Sequence, residues 1–118
     1  MYNKLCSGFH GRLLTRLRLG LSALNAHRFK YNLHNTPICP SCNLAPEDNT
    51  HYFFTCPTHA IARHHFMNLL HHELELDTTN QKNILNIILY GKLHHNQYTI
   101  LLKYIYQYID HTGRFNQQ

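Results

Sequence analysis

Four residues in one short stretch have the types and spacing for metal chemistry: Cys39, Cys42, His51 and Cys56, arranged Cys-x2-Cys-x8-His-x4-Cys. Two thiolates on a tight turn grip one ion as a bite. A His and a Cys flanking one helical turn supply the other pair. Sulfur with imidazole suits tetrahedral Zn2+. Four protein ligands leave no open coordination position, so the expected cofactor is one structural zinc rather than a catalytic one. Binding needs deprotonated thiols and couples to folding. Spacing leaves the fourth ligand open. His59, in Cys56-Pro57-Thr58-His59, completes a Cys3His set as readily as His51 does. Tyr52, Phe53 and Phe54 are expected to shield the metal or pack beside it. Cys6 lies far away in sequence and is read as a free thiol.

The chain around this stretch has 118 residues, a formal net charge of +5, 12 His, 43% apolar residues and 14% charged ones. That size is one compact domain and excludes a multidomain enzyme. Leu, Ile, Phe and Tyr are spread along the chain, which excludes disorder. No stretch approaches the ~18 unbroken apolar residues of a membrane span. Residues 1–11 show no apolar signal-peptide core, so an intracellular site, nucleus or cytoplasm, is expected. In a reducing compartment a Cys-x-x-Cys pair is a metal or redox site more often than a disulfide. A domain this small buries only about two thirds of its unfolded surface, so a metal is a useful staple.

Charge is unevenly placed. Residues 1–38 carry Lys4, Arg12, Arg16, Arg18, Arg28 and Lys30 and no acid. Residues 39–79 carry Arg63 against Glu47, Asp48, Glu73, Glu75 and Asp77, and residues 80–118 carry Lys82, Lys92, Lys103 and Arg114 against Asp110. Arg12, Arg16, Arg18, Arg28 and Lys30 form a basic cluster that can neutralise several phosphates, giving salt-dependent, mostly sequence-independent binding. Tyr31, Tyr52 and Phe53, where exposed, can stack on unpaired bases. RNA or single-stranded or nicked DNA is thus the expected partner, with no membrane and no small-molecule substrate. The competing expectation is a zinc-stabilised helical scaffold that docks on protein. Cys6 with His10 is a weak nucleophile–base pairing, and no enzymatic activity is expected.

The elements that must position these residues read as helices. A helix over 12–19 places Leu13, Leu14 and Leu17 on one side and Arg12 and Arg16 opposite, with Gly20 as its break. Ser22 is expected to cap a second helix reaching Lys30. Residues 35–48, punctuated by Pro37, Pro40 and Pro46, read as loop. Asn49 or Thr50 caps a short turn over 51–55, and Pro57 opens a helix to Leu74 with Phe66, Leu69, Leu70 and Leu74 as its apolar arc. His64, His65, His71 and His72 fall with Asn68 on its polar side, and no two are four apart, so no helical two-His bite exists. A helix over 80–90 turns Ile84, Leu85, Ile87 and Ile88 inward and stops at Gly91. His94 and His95 read as loop. A last helix over 97–111 repeats Tyr98, Leu101, Leu102, Ile105, Tyr108 and Ile109 at helical spacing. No strand alternation is convincing. The expected fold is a small all-α domain with a zinc knuckle between helical parts. Residues 1–75 form the basic helices and zinc module, and residues 76–118 a helical extension packed on it as one compact unit.

Several runs together resemble the zinc-binding segment of non-LTR retrotransposon reverse transcriptase polyproteins. They are Leu13-Leu14-Thr15-Arg16-Leu17-Arg18-Leu19-Gly20, Leu24-Asn25-Ala26-His27-Arg28, Ile38-Cys39-Pro40-Ser41-Cys42 and Thr50-His51-Tyr52-Phe53-Phe54-Thr55-Cys56-Pro57. Ile88-Leu89-Tyr90-Gly91 and the run from Tyr108 to Phe115 resemble the helical extension that follows it. The long gap between the Cys-x-x-Cys and the His is the most specific part. A retroviral-type knuckle has a shorter one. The resemblance implies Cys39, Cys42, His51 and Cys56 as ligands, favouring His51 over His59. It implies nucleic-acid binding during reverse transcription, with other domains of a retroelement polyprotein as partners. The polymerase signature is missing: Tyr108-Ile109-Asp110-His111 lacks the second Asp of Tyr-x-Asp-Asp. Six acids in all provide no obvious carboxylate set for two catalytic metal ions. The chain is thus expected to be a C-terminal piece of such a polyprotein.

Overall fold

The structure is a computed structural model that describes residues 8–91 and 93–115. Lys4, Cys6 and Lys92 lie outside them, and with Cys6 the reading of it as a free thiol or as a partner of His10. The fold is all-α. Among the described residues five α-helices follow in order: α1 (Gly8–Leu19), α2 (Asn25–Lys30), α3 (Ala60–Leu74), α4 (Gln81–Tyr90) and α5 (His95–Thr112). A π-helical turn (His51–Thr55) and a 3-10 turn (Pro57–His59) lead into α3. The one strand-like pairing among the described residues is an isolated antiparallel bridge between Ile38 and Pro46. No helix among them is long and apolar enough to cross a membrane.

The helix stops follow from backbone chemistry. Gly20, Gly91 and Gly113 take left-handed φ values of 70°, 60° and 67° at the ends of α1, α4 and α5, a conformation that closes a helix C-terminus at least cost when the residue is glycine. Asn80 caps α4 by accepting the Asn83 N–H at 3.0 Å, the ordinary role of an N-cap amide oxygen. Two expected caps are corrected. Ser22 does not start α2, which begins at Asn25 behind Leu24. Its hydroxyl instead accepts the Leu24 N–H and meets His27 Nδ1 at 2.8 Å, so the chain must turn once more before the helix opens. The turn into 51–55 is capped by neither Asn49 nor Thr50. Asp48 Oδ1 accepts the His51 N–H at 2.8 Å, while Asn49 Nδ2 donates to the Leu17 carbonyl at the end of α1. Of the two residues read as loop, His94 stays outside the helix as its N-cap, and His95 is corrected, because α5 begins there.

Among the described residues the core draws on α1, α3, α4, α5 and the π-helical turn. Leu13, Leu14 and Leu17 of α1 are buried, as are Ala62, Phe66, Leu70 and Leu74 of α3. Ile84, Ile88 and Leu89 of α4 and Leu101, Ile105, Tyr106, Tyr108 and Ile109 of α5 complete it. Leu69, Leu85, Ile87, Leu102 and Tyr98 sit half-buried at its margin. Each fully buried side chain of this size contributes roughly 1.5–3 kcal/mol. At the centre, Tyr108 stacks on Phe53 and Phe66, with ring centroids 5.5 and 5.0 Å apart. Its hydroxyl donates to the Tyr52 carbonyl at 2.6 Å. That contact joins α5 to the π-helical turn, so the C-terminal helix directly supports the segment that presents His51 and Cys56. It also settles the stacking expectation for two aromatics: Tyr52 and Phe53 are fully buried, and only Tyr31 is exposed.

Candidate metal centre

Residues 37–47 fold back as a tight knuckle. Cys39 N–H donates to the Ala45 carbonyl, Asn43 N–H to the Cys39 carbonyl and Glu47 N–H to the Pro37 carbonyl, at 2.8, 2.9 and 2.8 Å. Asn43 turns the chain with φ 59°, a left-handed conformation that Asn tolerates better than most side chains. The knuckle thereby aims backbone N–H groups at its own sulfurs. Ser41 and Cys42 point at Cys39, and Leu44 and Ala45 at Cys42.

The other half of the site comes from the π-helical turn. Cys56 N–H bonds the His51 carbonyl at 2.8 Å. In an α-helix residues five apart lie about 140° apart around the axis. Closing the turn with one extra residue brings His51 and Cys56 to the same side. Such local widening often marks a functional position. Here Asp48 fixes where the turn begins.

The result is convergence of the expected ligands. Single ligand atoms of Cys39, Cys42, His51 and Cys56 all lie within 4.8 Å of one another. Cys39 Sγ is 3.9 Å from Cys56 Sγ, and Cys42 Sγ is 3.3 Å from His51 Nε2. Tetrahedral Zn–S bonds of ~2.3 Å imply sulfurs about 3.8 Å apart, so the donor set fits a cation of that size. Cys39, His51 and Cys56 are buried and Cys42 is partly exposed. His51 Nδ1 meets Thr55 Oγ1 at 3.0 Å, which leaves Nε2 facing the sulfurs, the outer hydrogen bond that orients a metal-ligating imidazole.

The group contains His51 and not His59. His59 is buried with its ring edge against Tyr52, 5.4 Å between centroids. Its Nε2 has no hydrogen-bond partner among the described residues, and burial lowers its pKa, keeping the ring neutral. Protonation of the thiols follows their surroundings. Burial pushes the Cys39 thiol up to about 11, with nearby Glu47 and Cys56 adding to it against N–H groups that oppose it. Burial also opposes the Cys42 thiolate, but backbone and thiol hydrogen bonds outweigh it and hold that pKa below the ordinary value. A bound cation would supply positive charge that favours the Cys39 and Cys42 thiolates.

Sequence reading missed the residues that brace the site. Glu47 is fully buried. Its Oε1 accepts the Asn25 N–H at 2.9 Å, and its carboxylate takes Nε and Nη2 of Arg114 at 2.7 and 2.8 Å. Glu47 Oε2 lies 3.8 Å from Cys39 Sγ. The carboxylate therefore ties α2, the knuckle and the chain end after α5 together.

The expected phosphate contacts are divided. Arg12 and Arg16 are exposed on α1, and Arg28 and Lys30 are exposed on α2. Arg18 is half-buried and donates to the Tyr98 hydroxyl at 3.2 Å, so it serves packing between α1 and α5. The polar side of α3 is as read: His64, His65, Asn68, His71 and His72 are all exposed. Comparison with known proteins adds nothing to this geometry: no protein-family model, no curated protein and no solved structure matches the chain.

Proposed function

We propose that the protein is a structural-zinc module that engages nucleic acid through its basic N-terminal helices. The observation that carries the metal half is the convergence of Cys39, Cys42, His51 and Cys56 within 4.8 Å. Four protein ligands leave the ion no position for substrate, so its work is to fix the knuckle against the π-helical turn and not to catalyse. No catalytic role is assigned to any residue. The nucleic-acid half is supported by charge. The first acid in the chain is Glu47, preceded by six cations, and Glu47 is itself paired with Arg114. Exposed Arg12, Arg16, Arg28 and Lys30 are placed to meet phosphates. The resemblance to the zinc-binding segment of non-LTR retrotransposon polyproteins points the same way, toward RNA or single-stranded or nicked DNA and toward an intracellular protein.

Fluorescence anisotropy with a labelled oligonucleotide, repeated across a salt series, tests the reading. Affinity should fall linearly in log–log form, and Arg12→Glu with Arg16→Glu should weaken binding and reduce the slope by roughly one unit per lost phosphate contact. Binding without salt dependence, or no binding at low salt, would discard it. A second reading, a helical scaffold that docks on protein, draws on one feature. A groove of about 560 Å³ between α3 and α5 is lined by Ile61, Phe66, Leu69 and Tyr104, and Ile61 is 81% exposed.

A further inference from the structure

The segment that closes α2 combines rigidity with exposure in a way that folding alone does not explain. Leu33 N–H bonds the Arg28 carbonyl at 2.8 Å and Asn32 N–H the Phe29 carbonyl at 3.1 Å, with Asn32 left-handed at φ 61°. This is the paired closure that ends many helices, and an apolar residue at the Leu33 position ordinarily packs back on the helix. Here the position it would cover holds Arg28, whose Nη2 donates to the Leu33 carbonyl at 3.0 Å. Leu33 is left 65% exposed, beside Phe29 at 46% and Tyr31 at 47%. Three large apolar side chains within five residues are thus held toward water on a locked backbone.

Their surroundings are cationic. Lys30 Nζ sits 5.8 Å from the Tyr31 ring centroid, and Arg28 and Lys30 are exposed. The acids near α2 are engaged: Glu47 pairs with Arg114, and Asp48 Oδ1 accepts the His51 N–H. Aromatic faces among cations, on a fixed backbone, suit a polyanion that also offers flat apolar faces. Single-stranded nucleic acid does so, whereas a duplex has its base faces already stacked.

We infer that the closing turn of α2 is a stacking platform for unpaired bases, with Phe29 and Tyr31 contacting base faces, Leu33 extending the apolar surface, and Arg28 and Lys30 holding the adjacent phosphates. The inference rests on the nucleic-acid reading above and assigns it a strand preference and a place. It belongs to α2, whereas Arg12 and Arg16 belong to α1 and would meet phosphates of any strand.

The test uses the zinc-loaded full chain with labelled oligo(dT) and a hairpin duplex of equal charge. The chain should prefer the single strand. Phe29→Ala with Tyr31→Ala should lose about tenfold or more in single-strand affinity, leaving duplex affinity, zinc content and salt slope unchanged. Tyr31→Phe should bind like the parent. Because the chain has no Trp, Tyr31→Trp places one reporter whose emission should be quenched by oligo(dT) and not by the duplex. Equal binding of both strands, an unaffected double variant, or an unquenched Trp would overturn the platform while leaving the nucleic-acid reading intact. Failure of the parent to bind either probe at low salt would remove that reading, and the platform with it.

Discussion

Arg114 and Glu47, far apart in sequence, form a two-pronged ion pair with Nε–Oε2 at 2.7 Å and Nη2–Oε1 at 2.8 Å. The Glu47 side chain is 0% exposed and that of Arg114 15%. The pair raises the Arg114 pKa through the hydrogen bond to Glu47, so the guanidinium stays charged at any working pH. Breaking one half of a buried pair costs far more than the net worth of the pair, because the other charge is left in low dielectric. Arg114→Met should therefore destabilise the protein by about 3–5 kcal/mol. Glu47→Gln added to it should recover most of that loss, since Gln keeps an acceptor for the Asn25 N–H. Urea denaturation of the parent and the two variants decides. A double variant no more stable than the single one would show that the pair is not the source of the loss.

The His51–Thr55 hydrogen bond invites a test that leaves the fold alone. Thr55 is exposed, so Thr55→Val removes a hydroxyl and little packing. Losing an outer-shell partner of a metal-ligating His typically costs 10–100-fold in metal affinity. Competition against a chromophoric zinc chelator should show a drop in that range with the thermal midpoint of the metal-free chain unchanged. Equal affinity would mean that the imidazole is oriented by something else.

What the sequence made legible was local. The Leu13, Leu14 and Leu17 face and the glycine stops depend on residues within one or two turns of one another, and the ligand spacing lies within one short stretch of sequence. What escaped was set by tertiary contact. The spacing could not separate His51 from His59, because that choice depends on the π-helical turn, which is held by Asp48 at its start and by Tyr108 from α5. Asp48 carried a readable signal, an Asp three residues before His51. Glu47 carried none, since an acid among loop residues reads as solvated until Arg114 arrives from the other end of the chain. Ser22 failed as a cap because its hydroxyl was claimed by Leu24 N–H and His27, and Tyr52 and Phe53 failed as stacking residues because α5 covers them.

At Gly91 the backbone and the packing make the same demand. Its φ of 60° is left-handed, and an added Cβ would overlap the Tyr98 ring. That ring cannot swing aside without disturbing the bond from Arg18 Nη2 to its hydroxyl. Gly91→Ala should cost about 1–3 kcal/mol, read from thermal melts. Gly20 is also left-handed, but a Cβ there meets nothing within 4 Å, so Gly20→Ala should cost less. The reverse order would refute the packing argument.

His27 gives a pH dependence whose sign is fixed. Burial lowers its pKa against weaker opposing pulls from Asp48 and Glu47. The unfolded chain therefore takes up the proton first as pH falls below the ordinary His value of about 6.5. Stability is full above that value and declines as pH drops toward the lowered folded pKa. His27→Gln, which keeps an acceptor or donor for Ser22 Oγ, should shrink the difference in thermal midpoint between pH 7.5 and 5.5. An unchanged difference would place the pH sensitivity elsewhere.

The most direct measurement is metal content. Protein purified without added chelator and analysed by plasma mass spectrometry should carry one zinc per chain. Cys39→Ser, Cys56→Ser and His51→Ala should each lose it and loosen residues 37–56 to proteolysis, while His59→Ala should retain it. A parent chain free of zinc that neither takes up the ion nor gains stability when it is supplied would contradict the structural-zinc reading outright.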